Sequence, residues 1–334
     1  MGSRPTIKDV AAAAGVSVAT ASMALRDTGR LSDATRERVK RTAAELGYHA
    51  NPHARSLRGG RSRVLALTMP GIRPMPTVVG AVEYYVQLVG AAVATALEHD
   101  LALVVVPADP LALERLSVDG VIVVDPVTHD PLIDQLAARN IAIVTVGRPL
   151  GHHRGSFPVI DNDFVAGARE VLDHLAATGA ARPALIACDP PDSFQQDSID
   201  GYRQWCADHG VEPRIEMAAS ESQEDADRAA EALLGSGPAP DGVYGTVDQL
   251  AEAVLRAAPR HGRSIPGDLR VATCSDSELA RRSSPPLTTL DDRGHEIGIA
   301  AVERLVRAIA SPGEADQTTI PTDLIVRGST VGSD

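Results

Sequence analysis

Thr6-Ile-Lys-Asp-Val-Ala-Ala-Ala-Ala-Gly15-Val-Ser-Val-Ala-Thr20-Ala-Ser-Met-Ala-Leu25 decides how this chain is read. Two short helical patterns stand on either side of Gly15-Val16. Thr6 precedes the first, with Asp9 three residues on, which is close to a capping box. Gly15 ends that helix, where a left-handed residue costs least. Ser17 is an N-cap for the second helix. On a helical wheel Ala21, Ala24 and Leu25 share one side, and Val18, Ala19, Ser22, Met23 and Arg26 share the other. The first set is expected in a small core. The second is expected against the major groove of DNA, as the reading helix of a helix-turn-helix. Ser32 caps a third helix that ends at Leu46-Gly47. Val39, Ala43 and Leu46 are expected inward, and Arg36, Arg38, Lys40 and Arg41 on a solvated or phosphate-facing side.

Charge points the same way. Residues 1–63 hold twelve Lys/Arg and five Asp/Glu, whereas the whole chain of 334 residues carries a net −12. A basic module on an acidic body suits phosphate neutralisation by the first part only. The next segment, Asn51-Pro-His-Ala-Arg55-Ser-Leu-Arg58, is an N-cap with proline at the first helical position. It stops at Gly59-Gly60. So short a helix is unstable alone, and is expected to form when paired with its own copy on DNA. Leu57 is then a candidate wedge between base steps. The alternative is a plain Gly/Arg linker over 50–62.

These stretches resemble the lactose/galactose-repressor family of bacterial transcription regulators. The matching text is Thr6-Ile-Lys-Asp-Val-Ala, Ala14-Gly-Val-Ser-Val-Ala-Thr20, Glu45-Leu-Gly-Tyr48 and Asn51-Pro through Leu57. The resemblance implies paired hinge helices, with Leu57 wedged into the central operator step and Arg58 near the minor-groove edge. It implies a DNA-contacting set of Thr6, Ser17, Val18, Ala19, Thr20, Ser22, Met23 and Arg26, with Asn51, Ala54, Arg55, Leu57 and Arg58 in the hinge. One departure stands out. The family usually carries arginine where Met23 stands, and methionine cannot read guanine in a bidentate way.

From residue 64 onward, continuous β-branched runs alternate with helical patterns. Val64–Thr68, Leu101–Val106, Val121–Val124 and Ile141–Val146 read as buried parallel strands. The pattern restarts with Ala184–Ala187, Gly242–Tyr244 and Val271–Cys274. The predicted fold is an N-terminal all-α helix-turn-helix headpiece plus an α/β body of two doubly wound parallel-sheet lobes. The resemblance extends over this body, through Val159-Ile-Asp-Asn162, Gly167, Gly201-Tyr202, Pro286–Leu290 and Ile320–Thr330. It implies a periplasmic-binding-protein-like architecture with three crossings between lobes. The expected domains are 1–50 for the headpiece, 51–62 for the hinge and linker, and 63–334 for the effector-binding and dimerisation body. Within the body, lobe 1 is about 63–158 and 291–320, and lobe 2 is about 159–290 and 321–334.

Strand C-termini at a switch point are where such a fold binds ligands. The expected effector set is Tyr84, Tyr85, Arg148, Asp161, Ser198, Asp248, Ser275, Asp276 and Asp292. Here the chain leaves the family pattern. Ser198 stands where an arginine normally forks onto sugar or purine groups, Ser275 where an acid normally takes ligand hydroxyls, and Asp292 where a glutamine is usual. A bidentate polyol clamp lacks its parts. Tyr84 is placed to stack on a ring and Arg148 to pair an anion, whereas Asp161 and Asp276 are equally read as helix caps and Tyr85 as core.

The three cysteines (Cys188, Cys206, Cys274) lack metal or redox spacing and read as reduced thiols in a cytosol. No apolar run reaches membrane-spanning length, and no secretory signal is read at the N-terminus. No nucleophile elbow, phosphate loop or paired metal ligands occur, so neither an enzyme nor a bound cofactor is expected. The reading is a cytoplasmic, homodimeric, sequence-specific DNA-binding regulator, a repressor by expectation. Its partners are a pseudo-palindromic double-stranded operator and a small-molecule effector. The alternative is the same regulator with a degenerate, effector-insensitive pocket.

Overall fold

A computed structural model describes residues 5–25, 27–48, 61–69, 79–151, 157–188 and 192–332, with the backbone alone at 79–82. The chain divides into two compact units, Met1–Ser62 and Arg63–Asp334.

In the first unit, α1 (Ile7–Ala13), α2 (Val18–Leu25) and α3 (Asp33–Glu45) form in turn. Each start is fixed locally. The Asp9 carboxylate accepts from both the Thr6 amide and the Thr6 hydroxyl at 2.7 Å. Ser17 Oγ accepts from the Thr20 amide at 3.0 Å, and Ser32 Oγ from the Thr35 amide at 3.3 Å. Gly15 takes φ +64°, a left-handed turn that needs no Cβ. Val10, Ala11, Ala14, Ala21, Ala24, Val39 and Ala43 make the core, with Leu25 and Tyr48 packed against it. Leu46, expected inward, is instead 40% exposed. It caps the end of α3, and Tyr48 after the turn covers the core in its place.

The second unit holds two six-stranded sheets. The first has order β11-β5-β4-β3-β1-β2, and comprises β1 (Val64–Met69), β2 (Ala102–Pro107), β3 (Gly120–Val124), β4 (Ala142–Val146), β5 (Val159–Asn162) and β11 (Gln317–Ile320). The second has order β12-β10-β9-β8-β6-β7, and comprises β6 (Pro183–Cys188), β7 (Ile215–Ala218), β8 (Gly242–Gly245), β9 (Arg270–Cys274), β10 (Thr288–Asp291) and β12 (Asp323–Ile325). All pairings are parallel except β10 with β12. β3 is buried at every position, as a strand covered on both faces requires.

Helices α4 (Val79–Glu98), α5 (Pro110–Glu114), α6 (Pro131–Ala138) and α12 (Gly294–Ala310) belong to lobe 1. Lobe 2 carries α7 (Phe164–Ala177), α8 (Ser193–His209), α9 (Gln223–Gly235), α10 (Asp248–Ala257) and α11 (Glu278–Arg282). α7 and α8 touch closely at Gly201, where a Cβ would sit 2.6 Å from the Val165 carbonyl.

The lobe boundary differs from expectation by four residues. β5 pairs with β4 and β11, so residues 159–162 belong to lobe 1 and the first crossing follows Asn162. Asn162 also gathers the crossings: its Nδ2 donates to the Asp292 carbonyl at 3.1 Å and to the Ile320 carbonyl at 3.0 Å. One buried amide thus ties the first interlobe connection to the other two.

Candidate functional site

The reading helix comes first. Val18 is 38% exposed and Ala19 is exposed beside it, so this end of α2 presents an apolar and backbone surface. Ser17 and Thr20 are exposed or partly so, but their hydroxyls meet each other at 2.8 Å in the cap. Thr6 is bound to Asp9 in the same manner. Ser22, expected on the groove face, is buried. It lies at the margin of the stripe formed by Ala21 and Leu25, and a side chain this small is covered by it. Met23 is folded over the turn after α2: a Cβ on Gly29 would lie 2.7 Å from its Sδ. The basic side of α3 is largely spent within the unit. Arg36 and Lys40 pair with Asp27, and Arg38 Nε donates to the Ala14 carbonyl at 3.2 Å. Arg26, Asn51, Ala54, Arg55, Leu57 and Arg58 lie outside the described residues.

In the body, the remaining expected residues meet where the C-terminal ends of both sheets face each other. Arg148, just past β4, donates from Nε to Asp161 at 3.1 Å and from Nη2 to Asp197 on α8. It therefore spans the two lobes, and its backbone amide donates to Ser193 Oγ at 3.0 Å. A second bridge closes the other side. Glu83 on α4 accepts from the Glu278 amide at 2.7 Å and from Arg281 at 2.7 Å. Tyr84 lines a small cavity between the lobes with Ser275, Asp276 and Asp292. The rings of Tyr84 and Tyr85 stand edge to face at 5.3 Å, and the Tyr85 hydroxyl donates to Asp125 at 2.7 Å.

The second lobe supplies the rest. Ser275 takes φ +68° and donates to Asp292 at 2.5 Å. Asp276 pairs with Arg327 at 2.6 Å and with Arg281 at 3.4 Å. Asp248 begins α10 and accepts from Ser277 Oγ. Ser198 is fully buried on α8, and its hydroxyl lies beside that of Tyr244 without a hydrogen bond of normal geometry. It is therefore enclosed rather than exposed on the cleft surface.

Sequence reasoning missed four acids. Asp125, Asp192, Asp197 and Glu221 follow β3, β6, β6 and β7 respectively. Burial raises Asp125 to about 7, Asp161 to about 6 and Asp292 to about 7. Asp192, Asp197, Asp248 and Glu221 are raised for the same first cause. Neighbouring carboxylates add to the effect at Asp125 and Glu221. The signal was available: each acid lies within nine residues of a strand's last residue.

A three-helix headpiece with an exposed reading helix, joined in one chain to a two-lobed body with a polar cleft, defines a DNA-binding regulator with a sensing domain. Residues 6–51 match the model of bacterial regulatory proteins of the lacI family, and residues 172–330 that of a periplasmic binding protein-like domain. The regulator DegA of Bacillus subtilis (strain 168) is 29% identical over 342 residues, covering 98% of each chain. CelR of Thermobifida fusca is 29% identical over 340 residues, again 98% of each. A solved CelR–cellobiose complex is 28% identical with a TM-score of 0.73, covering 98% of this chain and 100% of the other. A lac repressor dimer bound to operator and an anti-inducer shares the fold at a TM-score of 0.79 and 24% identity, covering 99% and 100%. Over nearly its whole length the chain is thus similar to regulators of the lacI type. Among the described residues no helix is long and apolar enough to cross a membrane, and all three cysteines are buried and unpaired.

Proposed function

We propose that this chain represses transcription by binding a pseudo-palindromic operator as a homodimer, with an effector in the interlobe cleft setting its DNA affinity. The observation that carries the reading is the pair of interlobe bridges, Arg148–Asp197 and Glu83–Arg281. They are contacts between the lobes that a bound ligand would strengthen or break, which is how an effector would bias the lobe arrangement. An effector that favours one lobe arrangement shifts the first lobes of the dimer, and through the hinge the headpieces, by a coupling energy of about 1–3 kcal/mol. Two headpieces are needed because each reads one half-site. Exposed Val86, Leu97, Val105 and Leu111 on α4, β2 and α5 supply apolar surface for self-association.

The cleft departs from a sugar-binding pattern. The absence of an arginine at Ser198 and of an acid at Ser275 removes the two-pronged grip on adjacent hydroxyls. Genome-wide mapping of bound DNA, followed by anisotropy titrations on purified sites with a metabolite panel, tests the reading. A single palindrome bound by a dimer, with affinity shifted by one compound, is the expected result. A palindrome that no compound shifts favours the ungated alternative, and no preferred sequence refutes the regulator itself.

A further inference from the structure

The charges in the cleft do not balance. Among the described residues, Arg148 pairs with Asp161 and Asp197, Arg281 with Glu83 and Asp276, and Arg327 with Asp276. Asp125, Asp192, Glu221, Asp248 and Asp292 have no basic partner there. Four of them are held by neutral donors only: the Tyr85 hydroxyl on Asp125, the Gln195 amide on Asp192, Ser277 Oγ on Asp248 and Ser275 Oγ on Asp292. Each follows a strand of one sheet or the other, so the carboxylates converge from both lobes.

A second observation concerns neutral groups on the same turn. Thr246 follows β8, and Gln249 follows Asp248 in the first turn of α10. Thr246 is fully buried, and its Oγ1 and both amide atoms of Gln249 are buried without a hydrogen-bond partner. Buried polar atoms left unpaired cost free energy that a ligand's donors and acceptors would recover. A third observation is Arg148 itself, a planar cation already gripped by one carboxylate from each lobe.

We propose that the cleft takes an organic cation with two basic groups, a diamine or an amino-guanidine, and that Arg148 already fills the position of one further such group. This rests on the effector-gated reading above. An inorganic ion fits less well, since no group of three acidic, histidine or cysteine side chains among the described residues stands close enough to share a metal. A chain of methylenes between two basic ends suits carboxylates spread over both lobes. The Tyr84–Tyr85 ring pair beside Asp125 offers the π-faces on which alkylammonium groups rest. A cation arriving beside Asp125 and Asp292 drives off their protons, so binding releases protons and strengthens with pH.

The experiment is calorimetry on the full chain with 1,4-diaminobutane and agmatine, against cellobiose and ribose, in two buffers of different ionisation enthalpy. The expected result is saturable amine binding with proton release, about a hundredfold weaker at pH 6 than at pH 8 because two carboxylates must each lose a proton. Asp125→Asn and Asp192→Asn each lower the affinity about tenfold. A sugar that binds without proton exchange while both amines fail overturns the cation class and leaves effector gating standing. Failure of both classes with intact operator binding overturns the cation class and favours the ungated regulator.

Discussion

Arg148 and Asp197 join the two lobes of the body across its cleft, one from the end of β4 and the other from α8. The guanidinium is a quarter exposed and the carboxylate less so, so the pair is partly shielded from solvent. Removing the cation leaves the buried carboxylates of Asp161 and Asp197 facing each other unpaired. Arg148→Ala is expected to destabilise the body by about 1–3 kcal/mol, less than a fully buried pair would lose. It is also expected to widen the lobe arrangement. Urea denaturation and small-angle scattering check both, and an unchanged radius of gyration removes the bridge as a closure device.

Asn162 makes a different kind of link. Its amide is the donor to two carbonyls on the other crossings. Asn162→Ala leaves both carbonyls without that partner, at about 1–3 kcal/mol in all. Hydrogen exchange should rise at 160–163, 291–293 and 320–322 together. A rise confined to the first segment argues against a shared hinge.

Gly29 controls Met23 on the reading helix. Its φ of +77° is costly for any other residue, and a Cβ would press on the Met23 sulfur. Gly29→Ala should cost about 1–2 kcal/mol in headpiece stability and displace Met23, altering operator affinity. Gly47→Ala is the comparison: φ is +63° but the space is open, so stability falls while the reading face stays as it is. Exchange protection over 7–45 and operator titrations of the full chain separate the two.

The buried acids set a pH dependence with a definite sign. Asp125 and Asp292 are raised to about 7 and Asp161 to about 6, above their unfolded values near 4. In that window the folded state holds more protons than the unfolded one, so these groups make stability fall as pH rises. Lowering pH from 8 toward 6 should raise the melting temperature of the body. Asp125→Asn should flatten the trend; a slope unaltered by it assigns the effect elsewhere. Asp316, lowered by its bond to Arg304, acts in the opposite sense only in more acid solution.

Leu57 carries the hinge expectation. Leu57→Ala should weaken operator binding at least tenfold, about 1.4 kcal/mol, and leave effector binding unaltered. Equal affinity in the variant refutes a leucine wedge. Full-length protein and a DNA fragment carrying the mapped site suffice for the titration.

The fold was legible where signals are local. Caps at Ser17 and Ser32, the turn at Gly15 and the all-apolar run of β3 each name their own structure. β5 was misplaced because Val-Ile-Asp-Asn ends in polar residues, and only its pairing with β11, from far along the chain, shows which sheet it joins. Ser22 and Leu46 were assigned from helical angle alone, which does not say which neighbour covers a marginal position. In the cleft, Arg148, Asp161 and Asp248 were found by their places beside strands. Asp192 and Glu221 were not, because an acid in a loop is ordinary until the loops are known to converge.

The edge strands β11 and β12 span Gln317–Ile320 and Asp323–Ile325, one for each sheet. During synthesis neither lobe can complete its sheet until these seven positions have left the ribosome. Both lobes therefore finish together, after translation has passed them, and a chain stopped at residue 310 would expose two unfinished sheet borders to aggregation at once.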